Sequence, residues 1–461
     1  MGPLLQRKVR RVHFIAAGGI GMSGIAQVLL NLGFEVTGSD IRESDNTRML
    51  VEKGAIVHVG HKAEQIHGAD VVVYSSAIDR ENPEMVEAMR LNIPLISRAE
   101  MLAELMRMKS GIAVAGSHGK TTTTSMLSWS LSKAGLDPTF VVGGKLSTLA
   151  TNARLGDGDY FVVEADESDG SFLKYSPVLS IVTNIDAEHL DYYHDLSNVK
   201  SAFLAFMNKV PFYGSVILCL DDENIQSILP KVMRPYVTYG INKQARYRAE
   251  NIRTEGVRTS FDLVVDGQDN GLVVIHLPGE HNVRNALAVI AASQQLDLPV
   301  SVIKQALEEF KGVYRRFEFK GEARGVQIVD DYGHHPSEIR ASLLAAQAAF
   351  PDNRIVAVFQ PHRYSRVKHH FEQFAASFHD ADLLVVTEIY AASEKPLPGV
   401  SGQALYEAIV QHGHRYASYE ADLNAIAPRL AEVVRPGDMV ITFGAGDVNK
   451  VGMQLLDLLG R

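Results

Sequence analysis

The 461-residue chain holds a single cysteine, Cys219. No intrachain disulfide and no thiolate metal cage can be built from one thiol, which sets the expectation of a cytoplasmic protein in a reducing compartment. No run of about 18 apolar residues occurs, so no membrane span is expected. Basic charge is not in excess: 45 Lys and Arg against 54 Asp and Glu leave −9. That balance excludes a general nucleic-acid binder. Internal repeats and low-complexity tracts are also missing. Arg7, Lys8, Arg10 and Arg11 precede an apolar, glycine-bearing stretch and imitate a secretory signal. The stretch reads instead as a strand, Val12 to Ala17, entering a glycine turn, with Ser23 and Gln27 breaking its apolar character. What is present is an ordinary globular mixture, 46% hydrophobic and 21% charged, long enough for about two to four domains.

Three α/β blocks follow one another. In residues 1–107 the strand candidates are Val12–Ala17, Glu35–Thr37 and Val71–Tyr74, with Asn31 and Gly33 ending the first helix. Residues 108–312 carry strands at Ile112–Ala115, Phe161–Val163, Leu179–Val182 and Ser215–Leu220. Alternation in Ser260–Val265 and Leu272–Leu277, with turns at Asp266-Gly267 and Asn270-Gly271, predicts an antiparallel hairpin on a largely parallel sheet. An alanine-rich helix runs from Asn282 to Gln295. Residues 313–461 place strands at Val326–Val329, Arg354–Phe359, Leu383–Thr387 and Met439–Phe443, with helices after the first two and the last. The expected fold class is α/β: a Rossmann-like domain, a central mononucleotide-binding domain with an added hairpin, and a second Rossmann-like domain.

The most informative stretch is Gly116-Ser117-His118-Gly119-Lys120-Thr121-Thr122. It lies between a strand and a segment with Leu127, Leu131 and Ala134 at helical spacing. A glycine-rich strand-to-helix turn aims backbone N–H groups at one point, where the helix dipole favours an anion. Lys120 adds a charge for terminal phosphates, and Thr121 a hydroxyl for nucleotide-bound Mg²⁺. The full phosphate-loop pattern is broken by Val114 at its first glycine position. The reading is an ATP site; the bland alternative is a turn with a solvated lysine.

Ligands in open α/β sheets sit beyond the carboxyl ends of strands. There the middle block places Glu164-Ala165-Asp166-Glu167-Ser168-Asp169 and Asn184-Ile185-Asp186-Ala187-Glu188-His189. Acidic groups beside Lys120 tolerate ATP only with a divalent cation between them, which makes Glu164 the first Mg²⁺ ligand and His189 a candidate near a second. A solvated acidic loop and a packed or capping His189 remain alternatives. In the first block Gly19-Ile20-Gly21-Met22-Ser23-Gly24 has diphosphate-binding form, and Asp40 follows at ribose distance. A sugar nucleotide carries such a diphosphate as well as a dinucleotide does, and a plain tight turn is the alternative. The third block offers Asp330–Pro336, Gln360–Arg366 and Gly444–Asp447, with Arg363 and Arg366 able to clamp a carboxylate. A solvated helix start explains the same arginines. Tandem His334-His335 lacks the i, i+4 spacing of a zinc site, so no structural metal is expected.

These motifs, G-G-I-G-M-S-G, G-S-H-G-K-T-T-T-T, E-A-D-E-S-D, H-N-V-R-N, D-D-Y-G-H-H-P, P-H-R-Y-S-R and G-A-G-D, resemble in order those of the Mur ligase family over essentially the whole length. E-A-D-E-S-D and P-H-R-Y-S-R point to its alanine-adding branch. The resemblance implies an ATP-dependent ligase of peptidoglycan precursor synthesis. It would join L-alanine to the lactyl carboxylate of UDP-N-acetylmuramate through an acyl phosphate, as a monomer or homodimer. By the same resemblance Gly19, Gly21, Ser23 and Asp40 hold the UDP end. Gly116 to Thr122 hold ATP, with Thr121, Glu164 and His189 at magnesium. His281, Asn282 and Asn285 surround adenine, and Arg316 and Asp331 reach the nucleotide from the third block. His334, His362, Arg363 and Arg366 face the muramyl carboxylate and alanine, with His334 the candidate general base.

Departures from the family pattern are Ala16 and Ala17 for common Gly and Ile, Ser117 for Thr, and Ser393 for Gly. No counterpart of the modified lysine of some relatives is evident after His189. Two rival readings exist. A nicotinamide-dependent dehydrogenase would leave the phosphate loop without a purpose. A sensor binding UDP-sugars would bind ATP without alanine-dependent ADP release.

Overall fold

A computed structural model describes residues 8–75, 77–146, 151–392 and 394–460. Arg7 of the basic N-terminal run and the departing Ser393 lie outside the described residues. The chain forms two compact units. One takes the residues to Glu250 with Asp262–Val273 and Arg284–Phe310; the other takes Asn251–Phe261, Val274–Val283 and the residues from Lys311 onward.

The first sheet is wholly parallel, in the order Ile56–Val59, Glu35–Asp40, Arg11–Ile15, Val71–Tyr74, Leu95–Ser97. Its central strands carry buried apolar runs, as both-face-covered strands must. The strand order reverses on either side of Arg11–Ile15, the switch point at which such sheets bind ligands. The chain leaves that strand through Ala16, held at φ +66°, and enters the helix Ile20–Asn31.

The second sheet has ten strands, with Ser110–Ala115 between Leu179–Val182 and Tyr160–Glu164, all parallel. Thr139–Leu146 and Thr151–Arg154 extend one side as an antiparallel pair. On the far side Tyr247–Glu255, Arg258–Val265 and Gln268–Ile275 form a three-strand run, one strand more than the expected hairpin. Its turns fall at Gly256 and at Asp266-Gly267, all with positive φ. Asn270-Gly271 is no turn. It lies inside the strand Gln268–Ile275, where Asp269 Oδ1 accepts from Gly271 N at 2.7 Å.

The helix Lys120–Lys133 is rich in hydroxyls yet buried from Thr122 to Ser128. Thr124 Oγ1 donates to Lys120 O at 2.7 Å, and Ser128 Oγ to Thr124 O at 2.8 Å. These i−4 bonds satisfy the hydroxyls internally, so a polar helix can enter the core.

Gly24 has a packing role. A Cβ there would stand 3.2 Å from Ala153 Cβ and 3.3 Å from Asn152 Nδ2. The helix Ile20–Asn31 thus lies against the strand Thr151–Arg154, tied by Asn152 Nδ2 to Ile20 O at 2.7 Å and Gln27 Nε2 to Ala153 O at 3.0 Å. That docking brings the first glycine turn beside the phosphate loop.

In the second unit a six-stranded sheet runs Glu318–Ala323, Val326–Asp331, Asp438–Phe443, Arg354–Phe359, Leu383–Val386, Ala417–Tyr419, antiparallel only at Glu318–Ala323. Pro336 begins the helix Pro336–Ala349, as expected. The helices Gly402–Gln411 and Leu423–Val433 follow the third strand region, where none was expected.

Candidate active site

Three neighbouring strand ends of the first unit converge on the phosphate loop. Gly116 has φ +139°, and a Cβ there would stand 1.9 Å from Thr183 Oγ1, so only glycine fits. Ser117 N donates to Asn184 O at 3.1 Å and His118 N to Asn184 Oδ1 at 2.8 Å. Those two amides hold the loop in shape and do not face a phosphate. The amides of Gly119 to Thr122 open the helix and have no intrahelical partners, which makes them the anion cradle. Thr122 is buried, so its part in that cradle is its N–H.

Lys120 Nζ donates to Gly116 O at 2.5 Å, Ser117 O at 3.0 Å and Glu167 Oε1 at 2.9 Å. Burial alone would lower the ammonium pKa, but Glu167, with Glu188 and Asp166 behind it, pushes it well above the ordinary lysine range. Burial pushes Glu167 up to about 7 against the pull of Lys120. Thr121 Oγ1 donates to Glu164 Oε1 at 2.9 Å, and Gly143 N to Glu164 Oε2 at 2.7 Å. His189, at φ +54°, lies 3.4 Å from Glu188 and 3.9 Å from Glu167. Single ligand atoms of Glu167, Glu188 and His189 all fall within 4.8 Å of one another, and the buried Glu167 Oε2 has no hydrogen-bond partner. A compact, electron-rich donor set with an orphaned oxygen suits a small divalent cation.

A cleft of about 280 Å³ joins this loop to the first glycine turn, with Ile20, Gly21, Arg98, Lys120, Glu164 and Asp166 on its walls. The structure bears on two expectations there. Ser23 is fully buried and its hydroxyl donates to Ile20 O at 3.0 Å, so it faces no ligand. Asp40 Oδ2 accepts from Gly18 N at 2.9 Å, so this carboxylate first shapes the turn around Gly19. Asn285 packs against the phosphate loop, with Oδ1 accepting from Thr123 Oγ1 at 3.1 Å. His281 and Asn282 belong to the other unit, where Asn282 Nδ2 donates to Pro278 O at 2.8 Å.

In the second unit, the loops after three strands gather the remaining residues. Asp331 is nearly enclosed: its oxygens accept from Gly333 N at 2.7 Å, Phe317 N at 3.0 Å and Ser342 Oγ at 3.0 Å. Through Phe317 N, Asp331 also fixes the Arg316-Phe317 turn. Arg316 lies over the Tyr332 ring at 5.4 Å and 3.3 Å from Glu338. His334 Nδ1 is 3.0 Å from Tyr332 O. A carbonyl can only accept, so Nδ1 carries a proton in that contact, and in the neutral form of the ring Nε2 is the basic nitrogen. The His334 and His362 rings lie 5.8 Å apart, and His362 stacks on Tyr390. Burial, followed by His334, Arg366 and Arg363, lowers the His362 pKa to about 3. It therefore accepts from Arg366 Nη1 at 3.2 Å as a neutral ring. Arg363, at φ +70°, pairs with Glu394 at 3.2 Å.

Arg98, Glu167, Glu188 and Asn184 escaped sequence reasoning as site residues. Glu167, Glu188 and Asn184 stood in the two strand-end runs, which gave a place to look but no individual roles. Arg98 opens a helix outside every motif, and no sequence signal marked it.

A glycine loop at a helix start, a buried lysine and a carboxylate-lined cleft suit an enzyme that handles anions, and comparison with known proteins identifies its class. The Mur ligase family's catalytic domain matches residues 11–110, its middle domain residues 114–293, and its glutamate ligase domain residues 315–446. The chain belongs to the Mur ligase family, with that family's three α/β domains in series. It is 54% identical over 452 residues to the UDP-N-acetylmuramate–L-alanine ligase of Syntrophotalea carbinolica, covering 98% of each chain. A ligase of the same name from Geobacter sp. strain M21 is 53% identical, with 97% of each covered. Among solved structures, the UDP-N-acetylmuramate-alanine ligase of Thermotoga maritima superposes with a TM-score of 0.83 at 31% identity, covering 97% of this chain and 98% of that one. The chain is thus a ligase enzyme, which removes the sensor and dehydrogenase readings. Among the described residues no helix is long and apolar enough to cross a membrane.

Proposed function

We infer that the protein is an ATP-dependent ligase joining L-alanine to the lactyl carboxylate of UDP-N-acetylmuramate, in the cytoplasm, as a step of peptidoglycan precursor synthesis. The observation that carries this is the single cleft shared by Gly21, Lys120 and Glu164. It puts a turn suited to a sugar-nucleotide diphosphate on the same wall as a triphosphate loop. The high identity to alanine-adding ligases over nearly the full chain supports the substrate assignment.

A carboxylate oxygen attacks the γ-phosphorus, an O–P bond forms, and the bond to ADP breaks. The alanine amine then attacks the acyl carbon, a C–N bond forms, and the acyl C–O bond breaks so that phosphate leaves with the bridging oxygen. Lys120 and the first-turn amides Gly119–Thr122, in the loop that Gly116, Ser117 and His118 shape, carry the charge that shifts onto the departing ADP. Thr121 and Glu164 would hold one Mg²⁺. Glu167 and Glu188 would hold a second, with His189 at its rim; magnesium supplies charge neutralisation at the phosphates. Asn285 would steady the loop, with His281 and Asn282 near adenine. Arg316 adds charge from the third domain. His362, Arg363 and Arg366 orient the carboxylate and alanine, and His334 Nε2 takes the proton from the alanine ammonium. A monomer or homodimer suffices for this chemistry.

The test is ADP release with UDP-N-acetylmuramate and one amino acid at a time. Release with L-alanine well above that with glycine or L-serine supports the reading; ATP turnover indifferent to the sugar nucleotide refutes it.

A further inference from the structure

Arg98 is the first residue of the helix Arg98–Met106, directly after its N-cap Ser97. Its Nη2 donates to Asp166 Oδ2 at 3.1 Å. Its Nη1 stands where a Cβ on Gly21 would come within 2.5 Å. A guanidinium carries five N–H donors, and among the described residues Asp166 is the one acceptor that reaches it. The side chain is 29% exposed, and it opens into the cleft that Lys120 and Glu164 also line.

The surroundings favour an anion. The helix Ile20–Asn31 starts at Gly19 with no side-chain cap and no acidic residue in its first turn. Its positive end lies beside the guanidinium, whereas the start of Arg98–Met106 is already capped by Ser97 and Glu100. Gly21 then has a specific use: any side chain there would displace the arginine from the mouth of the turn.

We propose that Arg98 is a substrate-binding residue that grips an oxyanion of the sugar nucleotide with its remaining N–H edge while Asp166 holds the other edge. A planar fork can serve two acceptors on separate edges, which a lysine ammonium does less well. The oxyanion is the diphosphate or the lactyl carboxylate. This inference rests on the ligase reading above.

Isothermal titration of UDP, UDP-N-acetylmuramate and ATP into the wild type, Arg98→Ala and Arg98→Lys tests it. Arg98→Ala weakens UDP-N-acetylmuramate by about 10- to 100-fold, the scale of lost charge-assisted hydrogen bonds, and ATP by less than about twofold. Arg98→Lys recovers part of the loss. If UDP weakens in parallel, the diphosphate is the partner; if UDP is unchanged, the carboxylate is. Unaltered UDP-N-acetylmuramate affinity in Arg98→Ala overturns the proposal, as does an equal loss for ATP. Should Arg98→Ala not fold, the isosterically closer Arg98→Lys and Arg98→Gln give the same comparison. Failure of the underlying ligase reading is seen separately, as wild-type protein that does not bind UDP-N-acetylmuramate at all.

Discussion

Replacing Lys120 by alanine should destabilise the first unit in a way that depends on pH. The Lys120–Glu167 pair is buried, with side chains 16% and 2% exposed. Removing one partner of such a pair leaves a charge without compensation, typically a loss of about 3–5 kcal/mol. Glu167 has an escape, because it can take up a proton. Burial already pushes its pKa up to about 7 with Lys120 opposing that rise, and without Lys120 it climbs further. A carboxyl with a folded pKa above its unfolded value holds its proton more tightly when folded. Its contribution is therefore intact below the unfolded pKa near 4.5 and is lost as pH rises through the folded one. Each pH unit in that window is worth about 1.36 kcal/mol, but wild-type Glu167 at about 7 already shares most of that fall, so the Lys120→Ala penalty should grow by no more than about 1 kcal/mol between pH 5.5 and 7.5. Urea unfolding of wild type, Lys120→Ala and Lys120→Ala/Glu167→Gln at both pH values measures this. The double variant should remove the pH-dependent part. A Lys120→Ala penalty equal at both pH values, unrelieved by Glu167→Gln, refutes the reasoning. Lys120→Ala should also abolish ADP release at either pH.

Two further perturbations read other parts of the structure. His362 is held neutral, so its stabilising contribution is full above the unfolded pKa near 6.5 and falls as pH drops toward its folded value of about 3; by pH 5 the loss reaches at most about 2 kcal/mol. His362→Gln should therefore flatten the fall in urea midpoint between pH 7 and 5, and an unchanged slope would remove His362 as its source. Ala16 sits at φ +66°, where a Cβ costs roughly 1–2 kcal/mol and glycine returns about 0.5–1 in chain entropy. Ala16→Gly should stabilise by about 0.5–1 kcal/mol, and a destabilised variant in thermal unfolding would contradict that strain.

The parallel strands were legible because buried runs such as Val71–Tyr74 and Leu179–Val182 are apolar throughout and bounded by turn residues. The phosphate loop was legible because its glycines answer a steric demand, met at Gly116 by Thr183. Short edge strands such as Leu95–Ser97 and Ala417–Tyr419 span three residues, too few for any period to register. Asn270-Gly271 misled because turn chemistry was taken from the dipeptide alone, while Asp266-Gly267 had already closed the hairpin. Ser23 misled for a related reason: a residue within a glycine motif can face inward, and helix phase at Ser23 turns it to the core. Arg98 and Glu167 could not be singled out from sequence. Their partners Asp166 and Lys120 lie 68 and 47 residues away; the first proximity exists only after the first domain docks on the second sheet, the second only after Ser110–Ala115 pairs with Tyr160–Glu164.

The central claim is that an acid group of the substrate is activated by phosphoryl transfer within the cleft of Gly21, Lys120 and Glu164. Its most direct test supplies UDP-N-acetylmuramate with both lactyl carboxylate oxygens labelled as ¹⁸O, together with ATP and L-alanine, and weighs the released phosphate. The account predicts one labelled oxygen in each phosphate, carried over when the acyl–oxygen bond breaks. Phosphate free of label, formed alongside the alanyl product, would contradict it.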